Sequence, residues 1–415
     1  MKIAVIGAGI HGICTAYELV SQGHRVEVFE RNGSAAEEAS FANGSLLSAY
    51  ALSSLLDQVS VGAVLGSKFK SSPVLQWQGL SPSLLRWAWQ THRLRHSPLG
   101  ASRRRDLQNL AQWSQSHLLA VCNAFRQDID QSEGVLLLMR SAQDQQRWAG
   151  LLHEIVESGL ENSVLNREQT QTIEPALRED TPLHQAVWLA QDGSANCRQF
   201  GLLLKSRAEE MGVVFHFNTE VQPLVKQQAL RSIRTSSGDV HNVDAVVVCA
   251  GEQAMRLIQN MGVRFSTQRI HGYSISAAVR EPLDAPKSVV YDTRHHVSIA
   301  RLGQRVRVAG AYSVGKHNAT SDQRVALLYK VLDDWFPGAA RAHENPQIWH
   351  AAVCSTCDGL PVIGRTPVDG LWLNTAHGLT GWTLACGSAR GLADQMSGRQ
   401  SAIDLDKFGL HRFHK

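Results

Sequence analysis

No apolar run in the chain approaches the ~20 residues that a bilayer-crossing helix requires, so no membrane span is expected. A secretory leader is not visible either, because the run from Ile3 to Ile6 is cut at once by Gly7 and Gly9. Charge is scarce, at 19% of residues against 43% hydrophobic, which is the balance of a folded protein. The surplus of +4 is too small to demand a nucleic-acid partner, and none is expected. Internal repeats, low-complexity tracts and obvious linkers are missing, so any domains should interleave along the chain. Cysteine is sparse, odd in number and scattered over seven positions, Cys14, Cys122, Cys197, Cys249, Cys354, Cys357 and Cys386. Such a set does not build a disulfide framework and suits a reducing compartment, so the expected location is cytoplasmic. Cys354-x-x-Cys357 lacks the second pair that a four-ligand structural zinc site wants, so two buried thiols are preferred and no metal is expected.

What is present is most legible at the start. Lys2 to Ile6 reads as a strand and is followed by Gly7-Ala8-Gly9-Ile10-His11-Gly12. Ile13, Ala16, Tyr17 and Val20 then recur at helical spacing until Gly23, and Arg25 to Phe29 reads as a second strand ending at Glu30. Strand, glycine turn, helix, strand and acid in that order form a dinucleotide-binding unit. Gly7 serves the tight turn, Gly9 the close approach of a pyrophosphate, and Gly12 the packing of helix on strand. The helix N-terminus offers free N–H groups to the phosphates, and Glu30 suits ribose hydroxyls while disfavouring a 2′-phosphate.

NAD and FAD share this fingerprint. The far end of the chain favours the flavin, because His377-Gly378-Leu379-Thr380-Gly381-Trp382 follows an apolar strand, Leu371 to Thr375, and opens a helix running to Met396. A second helix N-terminus can stabilise negative charge developing at the N1–C2=O edge of a reduced flavin. Between the ends, the stretch from Leu46 to Arg140 is mostly helical, with a strand-like Gly134 to Met139. Helices are expected at Gln143 to Glu157, Phe200 to Met211 and Ser321 to Trp335. Alternation marks Tyr273 to Val279, Val297 to Arg301 and Val306 to Ala309 as antiparallel strands, and Ala245 to Cys249 is an apolar strand closing on Ala250-Gly251.

Taken together, Ile3 to Arg31, Ser40-Phe-Ala-Asn-Gly-Ser-Leu-Leu-Ser48, Gln191 to Val221, His271-Gly-Tyr-Ser274 and Gly359 to Arg365 through Arg399 resemble the FAD-dependent D-amino-acid dehydrogenase family, within the D-amino-acid oxidase group of flavoproteins. Leu371 to Ser388 is similar to that family's C-terminal signature over its whole length. The resemblance implies an α/β chain with an FAD-binding Rossmann-like domain (1–55, 192–255 and 355–415). Interleaved with it is an α+β substrate or lid domain (56–191 and 256–354) containing a mostly antiparallel sheet. It implies noncovalent FAD, held by the glycine loop, Glu30 and Arg31, with Val221 at the adenine. Ser40, Asn43 and Gly44 would lie along the flavin, Ala250-Gly251 near the pyrophosphate, and His377 to Gly381 at the isoalloxazine. The implied reaction takes hydride from the substrate Cα to flavin N5, giving an imino acid and then a 2-oxo acid and ammonium. Electrons would leave to a quinone or another carrier.

One departure bears on the substrate. Where the family carries Gly-Leu-Arg-Pro-x-Thr-Pro-Asp-Gly, this chain has Ala351-Ala-Val-Cys-Ser-Thr-Cys-Asp-Gly359, so Val353 stands in place of the carboxylate-gripping arginine. A guanidinium pairs a carboxylate bidentately and valine does not, a loss of about 2–5 kcal/mol for a substrate that depends on it. Either another cation has taken over or the substrate differs. His271, His350 and Arg301 are the candidate cations, with a structural role preferred for Arg301. Tyr50 and Tyr273 are candidate phenols for orienting the substrate. No dedicated general base is visible, and hydride loss from a neutral amine needs none. The aromatic and basic stretch from Leu84 to Arg95 could dock on the inner face of a membrane, although an inward-packed helix is preferred.

The leading expectation is an FAD-dependent oxidoreductase acting on the C–N bond of an amino acid, D-configured by resemblance. The alternatives are oxidation of a secondary amine or N-substituted glycine, a flavin-binding subunit of a larger complex, and an NAD dehydrogenase.

Overall fold

Strand Lys2–Ile6 is wholly apolar after its first residue and sits at the centre of a six-stranded sheet. In the computed structural model, which describes residues 1–66, 75–225, 229–315 and 322–413, the order is Val362–Arg365, Leu371–Thr375, Ala245–Val248, Lys2–Ile6, Arg25–Phe29, Val214–His216. Every neighbour pair is parallel except the first, a hairpin. Parallel strands need crossovers. Helix Ile10–Ser21 makes the first of these, and helices Cys197–Glu210 and Gly381–Met396 pack beside it on the same face.

A second sheet runs Gln347–Thr356, Thr267–Ala278, Arg305–Gly315, Val297–Leu302, Val289–Asp292, Ser132–Met139, Gln185–Ser194, Leu46–Leu47. It is mostly antiparallel, the parallel pairs among described residues being Val289–Asp292 with Ser132–Met139 and Leu75–Gln78 with Arg305–Gly315. Helix Asp322–Trp335 covers one of its faces; Ser321, where the sequence reading begins that helix, lies outside the described residues. Over the other face lie the short helices near Tyr50 and helix Pro82–Arg95. The 28-residue helix Pro98–Phe125 packs Leu107, Leu110, Ala111 and Leu118 against the terminal helix. Leu46–Leu47 joins the second sheet and Gln185–Ser194 crosses residue 192, so the segments divided in the sequence reading touch both sheets.

Helix Pro82–Arg95 turns Leu84, Trp87 and Ala88 inward and leaves Trp89 outside beneath Arg93. Arg95 is buried on Asp57, and Arg103 and Arg104 pair with Asp358 and Glu154. These three arginines hold the helices together, while Arg86, His92 and Arg93 stay exposed. No helix among the described residues is long and apolar enough to cross a membrane.

The tightest local contact is at Gly12, where an added Cβ would lie 1.8 Å from the Gly7 carbonyl oxygen. Gly12→Ala should therefore push the helix off its strand at a cost of about 2–4 kcal/mol, with loss of bound flavin. Thermal unfolding and flavin content of the purified variant check this.

Asp192, in strand Gln185–Ser194, is pushed up to about 7 by burial, with a hydrogen bond to Ser48 opposing the shift. A carboxyl whose folded pKa exceeds its unfolded value near 3.9 binds more protons folded, so it costs stability as pH rises between those values. Asp192→Asn should raise stability relative to the native chain by an amount that widens from pH 5 to about pH 7 and then levels, at ~4 kcal/mol or less. Denaturant melts at a series of pH values test the sign.

Candidate active site

The strand pairings decide where the site lies. Ile6 pairs with Phe29 on one side and Val248 on the other, and Val248 pairs with Leu373. The turns after these four strands therefore open at one carboxyl edge, where α/β sheets place their ligands. A cleft of about 250 Å³ runs along that edge. Its wall includes Gly7, Gly9, Ile10, His11, Ala250, Gly251, His377, Gly378, Leu379 and Gly381, so the two distant glycine turns meet in one site. Ala8, Gly12 and Thr380 stand behind this wall. The Ala8 N–H donates to Glu30, Gly12 packs on Gly7, and Thr380 Oγ1 donates to the His377 carbonyl oxygen.

One end of the cleft is polar. Glu30 accepts from the Ala8 N–H at 2.7 Å and the Asn32 N–H at 2.9 Å, which fixes its carboxylate while leaving lone pairs for hydroxyls. Arg31 is ion-paired with Glu38, and that partner raises its pKa. Val221 lines the same end beside Glu220, which pairs with Arg256. Ser40 accepts the Ile10 N–H at 3.0 Å, leaving other N–H groups of the helix start for a ligand, and Asn43 accepts the Ser45 N–H. The loop bearing Ser40, Asn43 and Gly44 is clamped from the second sheet. Trp349 donates to the Glu38 carbonyl oxygen and packs on Phe41, and Gly44 lies against Ser298.

At the other end His11 and His377 stack with centroids 3.6 Å apart and planes 19° apart. Burial lowers the His11 pKa to about 4, and burial together with His11 holds His377 well below its ordinary value, so both rings are neutral at neutral pH. The Nε2 atoms of both, Trp382 Nε1 and Asn374 Oδ1 are buried without hydrogen-bond partners among the described residues. All four residues line the cleft. Buried polar atoms are normally satisfied, so this set fits a planar, hydrogen-bonding ring system such as isoalloxazine.

The substrate-facing wall differs from the sequence expectation. Val353 lines the cleft opposite Ile270, so the position where the resemblance puts an arginine does face the site. None of the three candidate cations lines it. His271 Nδ1 lies 3.2 Å from His350 Nε2, and His271 Nε2 lies 3.0 Å from the Gly315 carbonyl oxygen. Strand alternation explains their placement. Ile270 and Gly272 face the cleft, which turns His271 to the side where Ile275 packs against helix Asp322–Trp335. His350 meets His271 there. Arg301 instead donates to the Gly303 and Pro282 carbonyl oxygens and holds a hairpin. Tyr50 is packed near Trp148 in a side core, away from the cleft, and Tyr273 touches the cleft lining but packs its ring with Ile275 in the core under helix Asp322–Trp335.

The wall's other phenol, Tyr312, was not anticipated. Val306 and Val308 face helix Asp322–Trp335, and strict alternation would send Tyr312 to that side as well. The pairing slips by one residue between His271 and Tyr273, and Ala311 takes a left-handed φ of +53°. This bulge puts Ala311 on the helix side and delivers Tyr312 to the cleft. Gly272 makes room for it, since a Cβ there would sit 3.2 Å from Tyr312 Cε1. Burial raises the Tyr312 phenol, so it stays a protonated donor. Cys354 lines the cleft while Cys357 packs under helix Pro82–Arg95; both thiols are pushed up to about 11 by burial, and all seven cysteines are free and buried.

Comparisons with known proteins agree with this geometry. The family model described as FAD dependent oxidoreductase matches residues 2–395. The D-amino acid dehydrogenase of Bradyrhizobium diazoefficiens is 32% identical, covering 100% of this chain and 99% of its own length. Among solved structures, glycine oxidase from Geobacillus kaustophilus is similar with a TM-score of 0.75 at 21% identity, covering 99% of this chain and 98% of that one. Iminodiacetate oxidase from Chelativorans sp. BNC1 has a TM-score of 0.71 at 17% identity, with 98% of each chain covered. With the match spanning nearly its whole length and the cleft built for a dinucleotide, the chain belongs to the family of FAD-dependent oxidoreductases.

Proposed function

We propose that this protein is an FAD-dependent dehydrogenase of the Cα–N bond of an amino acid with an apolar side chain, D-configured as the names of its curated relatives state. The observation that carries the reading is the substrate wall. Ile270, Leu52, Val353 and Leu379 line the cleft with Tyr312. The arginines of the cleft among the described residues, Arg31 and Arg256, pair with Glu38 and Glu220, and Arg95, Arg103 and Arg104, which share an adjoining pocket with Leu52, Ile270 and Leu379, are committed to Asp57, Asp358 and Glu154. FAD, held noncovalently along the carboxyl edge by the segments around Gly7, Glu30, Ser40, Val221, Ala250 and His377, supplies the acceptor for the substrate's α-hydride. The segments 1–55, 192–255 and 355–415 form its domain, and 56–191 with 256–354 form the substrate domain.

The remaining work falls to the chain's own groups. The apolar wall excludes water and favours the neutral amine, the form that can lose hydride, so the substrate sheds its proton to solvent on entry. Tyr312 Oη donates to the substrate carboxylate. The start of helix Gly381–Met396 lies at the cleft end bearing His377 and Gly378, where its N–H groups and partial positive charge would stabilise negative charge on a bound flavin. Electrons then pass to a quinone or other carrier.

A second reading is favoured by Val353 itself. Without the bidentate grip, a secondary amine or N-substituted glycine that leans on apolar contact gains relative to a primary amino acid. An anaerobic panel read at the flavin absorbance separates the two, using both enantiomers of small and large amino acids, sarcosine, proline derivatives and simple amines. Bleaching by D-amino acids ahead of secondary amines supports the first reading. The reverse order supports the second, and no bleaching by any amine overturns both.

Tyr312→Phe should lower kcat/KM roughly tenfold to a hundredfold for a carboxylate substrate, the cost of one hydrogen bond to a charged group. Flavin content should be unchanged. An equal loss with an amine lacking a carboxylate would contradict the assigned contact.

A further inference from the structure

Outside the cleft, on the far flank of the first sheet, three side chains from three strands converge. Glu27 lies in Arg25–Phe29, His216 ends the neighbouring strand Val214–His216, and His241 is the middle residue of Val240–Asn242 in the adjoining hairpin. Strand pairing sets Phe29 opposite His216, and Glu27 shares the face of Phe29 two residues earlier. Phe29 orders both imidazoles, stacking on His216 with centroids 4.7 Å apart and meeting His241 edge-on at 4.7 Å.

The donor atoms are arranged as ligands. Glu27 Oε2 lies 3.4 Å from His216 Nε2 and 3.5 Å from His241 Nδ1, and all the donor atoms lie within 4.8 Å of one another. Both separations exceed the 2.7–3.2 Å of an ordinary N–H···O bond. They match the edges of a tetrahedron with bonds of about 2.0–2.2 Å, whose ligand atoms stand about 3.3–3.5 Å apart. His216 Nε2 is buried and makes no hydrogen bond among the described residues. Lys2 Nζ binds the other carboxylate oxygen, Oε1, at 2.8 Å, which turns Oε2 toward the imidazoles and fixes it. The side chains of Glu27, His216 and His241 keep 21%, 31% and 24% of their surface exposed, enough for an ion to enter and for water to complete its shell.

We propose that Glu27, His216 and His241 bind a divalent transition metal of the zinc class, as a two-imidazole, one-carboxylate site with an open fourth position. The ion would tie the hairpin Ser232–Arg234 and Val240–Asn242 to the edge of the FAD-binding sheet. The site borders the coenzyme without joining it, because Phe29 lies between the imidazoles and the cleft wall.

Holoenzyme freed of metal by a chelator is loaded with Zn²⁺, desalted and assayed by elemental analysis, with Co²⁺ difference spectra reporting coordination. Native protein should retain one equivalent and melt at a higher temperature with Zn²⁺ than without. His241→Ala and His216→Ala should lose both effects while keeping their FAD, which shows that they are folded. Glu27→Gln, which keeps the shape of the side chain, should weaken Zn²⁺ binding at least tenfold. Absence of a retained equivalent in the native enzyme, or the same retention in both histidine variants, overturns the proposal.

Discussion

Everything functional in this molecule depends on the register of one five-residue strand. Lys2–Ile6 runs parallel to Arg25–Phe29 and to Ala245–Val248, and the latter runs parallel to Leu371–Thr375, with their ends level. A slip of one residue would turn each apolar side chain to the opposite face and would stagger the turns. With the register kept, segments that are hundreds of residues apart present free N–H groups on one line. Partial charges so aligned suit one extended ligand better than separate patches of solvent. The rest of the first sheet's core, including the long helix Pro98–Phe125, makes that register the only one that buries the strands.

The second sheet supplies the opposite wall, and there irregularity matters more than regularity. A flat antiparallel pair would carry Val306, Val308 and Tyr312 on one face. The single bulge at Ala311 reverses the sequence beyond it, at the cost of one residue held in a left-handed conformation. Gly272 absorbs the Tyr312 ring on the neighbouring strand, so the two departures form one device that aims a phenol at the site. Several charged groups of this sheet are meanwhile committed to partners outside the cleft lining. Arg301 secures a hairpin, His271 and His350 meet on the helix side, and Arg140 is locked between Asp292 and Asp334.

The legible part of the sequence was that in which a local rule and the tertiary structure agree. The opening glycine loop, the acid at Glu30 and the small-residue turn at Ala250-Gly251 need their particular residues for steric reasons that any fold would share. They line the cleft or back it as expected. The cation candidates failed because the side of a strand a residue faces is set by pairing partners, which lie far along the chain. His271 is next to cleft-lining Gly272 in the chain, yet alternation puts the two on opposite faces. Tyr312 was invisible for the complementary reason, since a bulge breaks the period on which strand reading rests. Strands Val289–Asp292 and Gln347–Thr356 escaped notice because tertiary contacts, more than composition, make them strands.

The contact between His11 and His377 shows how the two ends of the chain came to act as one site. Each ring belongs to a glycine turn that could serve as an anion cradle alone, and nothing local relates them. Stacked at 3.6 Å, they cannot both be charged, since a proton on one would repel a proton on the other in a setting that already penalises charge. The pair therefore stays neutral and holds the start of helix Ile10–Ser21 against the start of helix Gly381–Met396, with His11 Cε1 pressed to Gly381. Two neutral imidazoles leave the helix N-termini as the main positive field at that end of the cleft. Fixed backbone dipoles need no proton and do not titrate, so the electrostatics of that cleft end are set by the fold more than by solution pH.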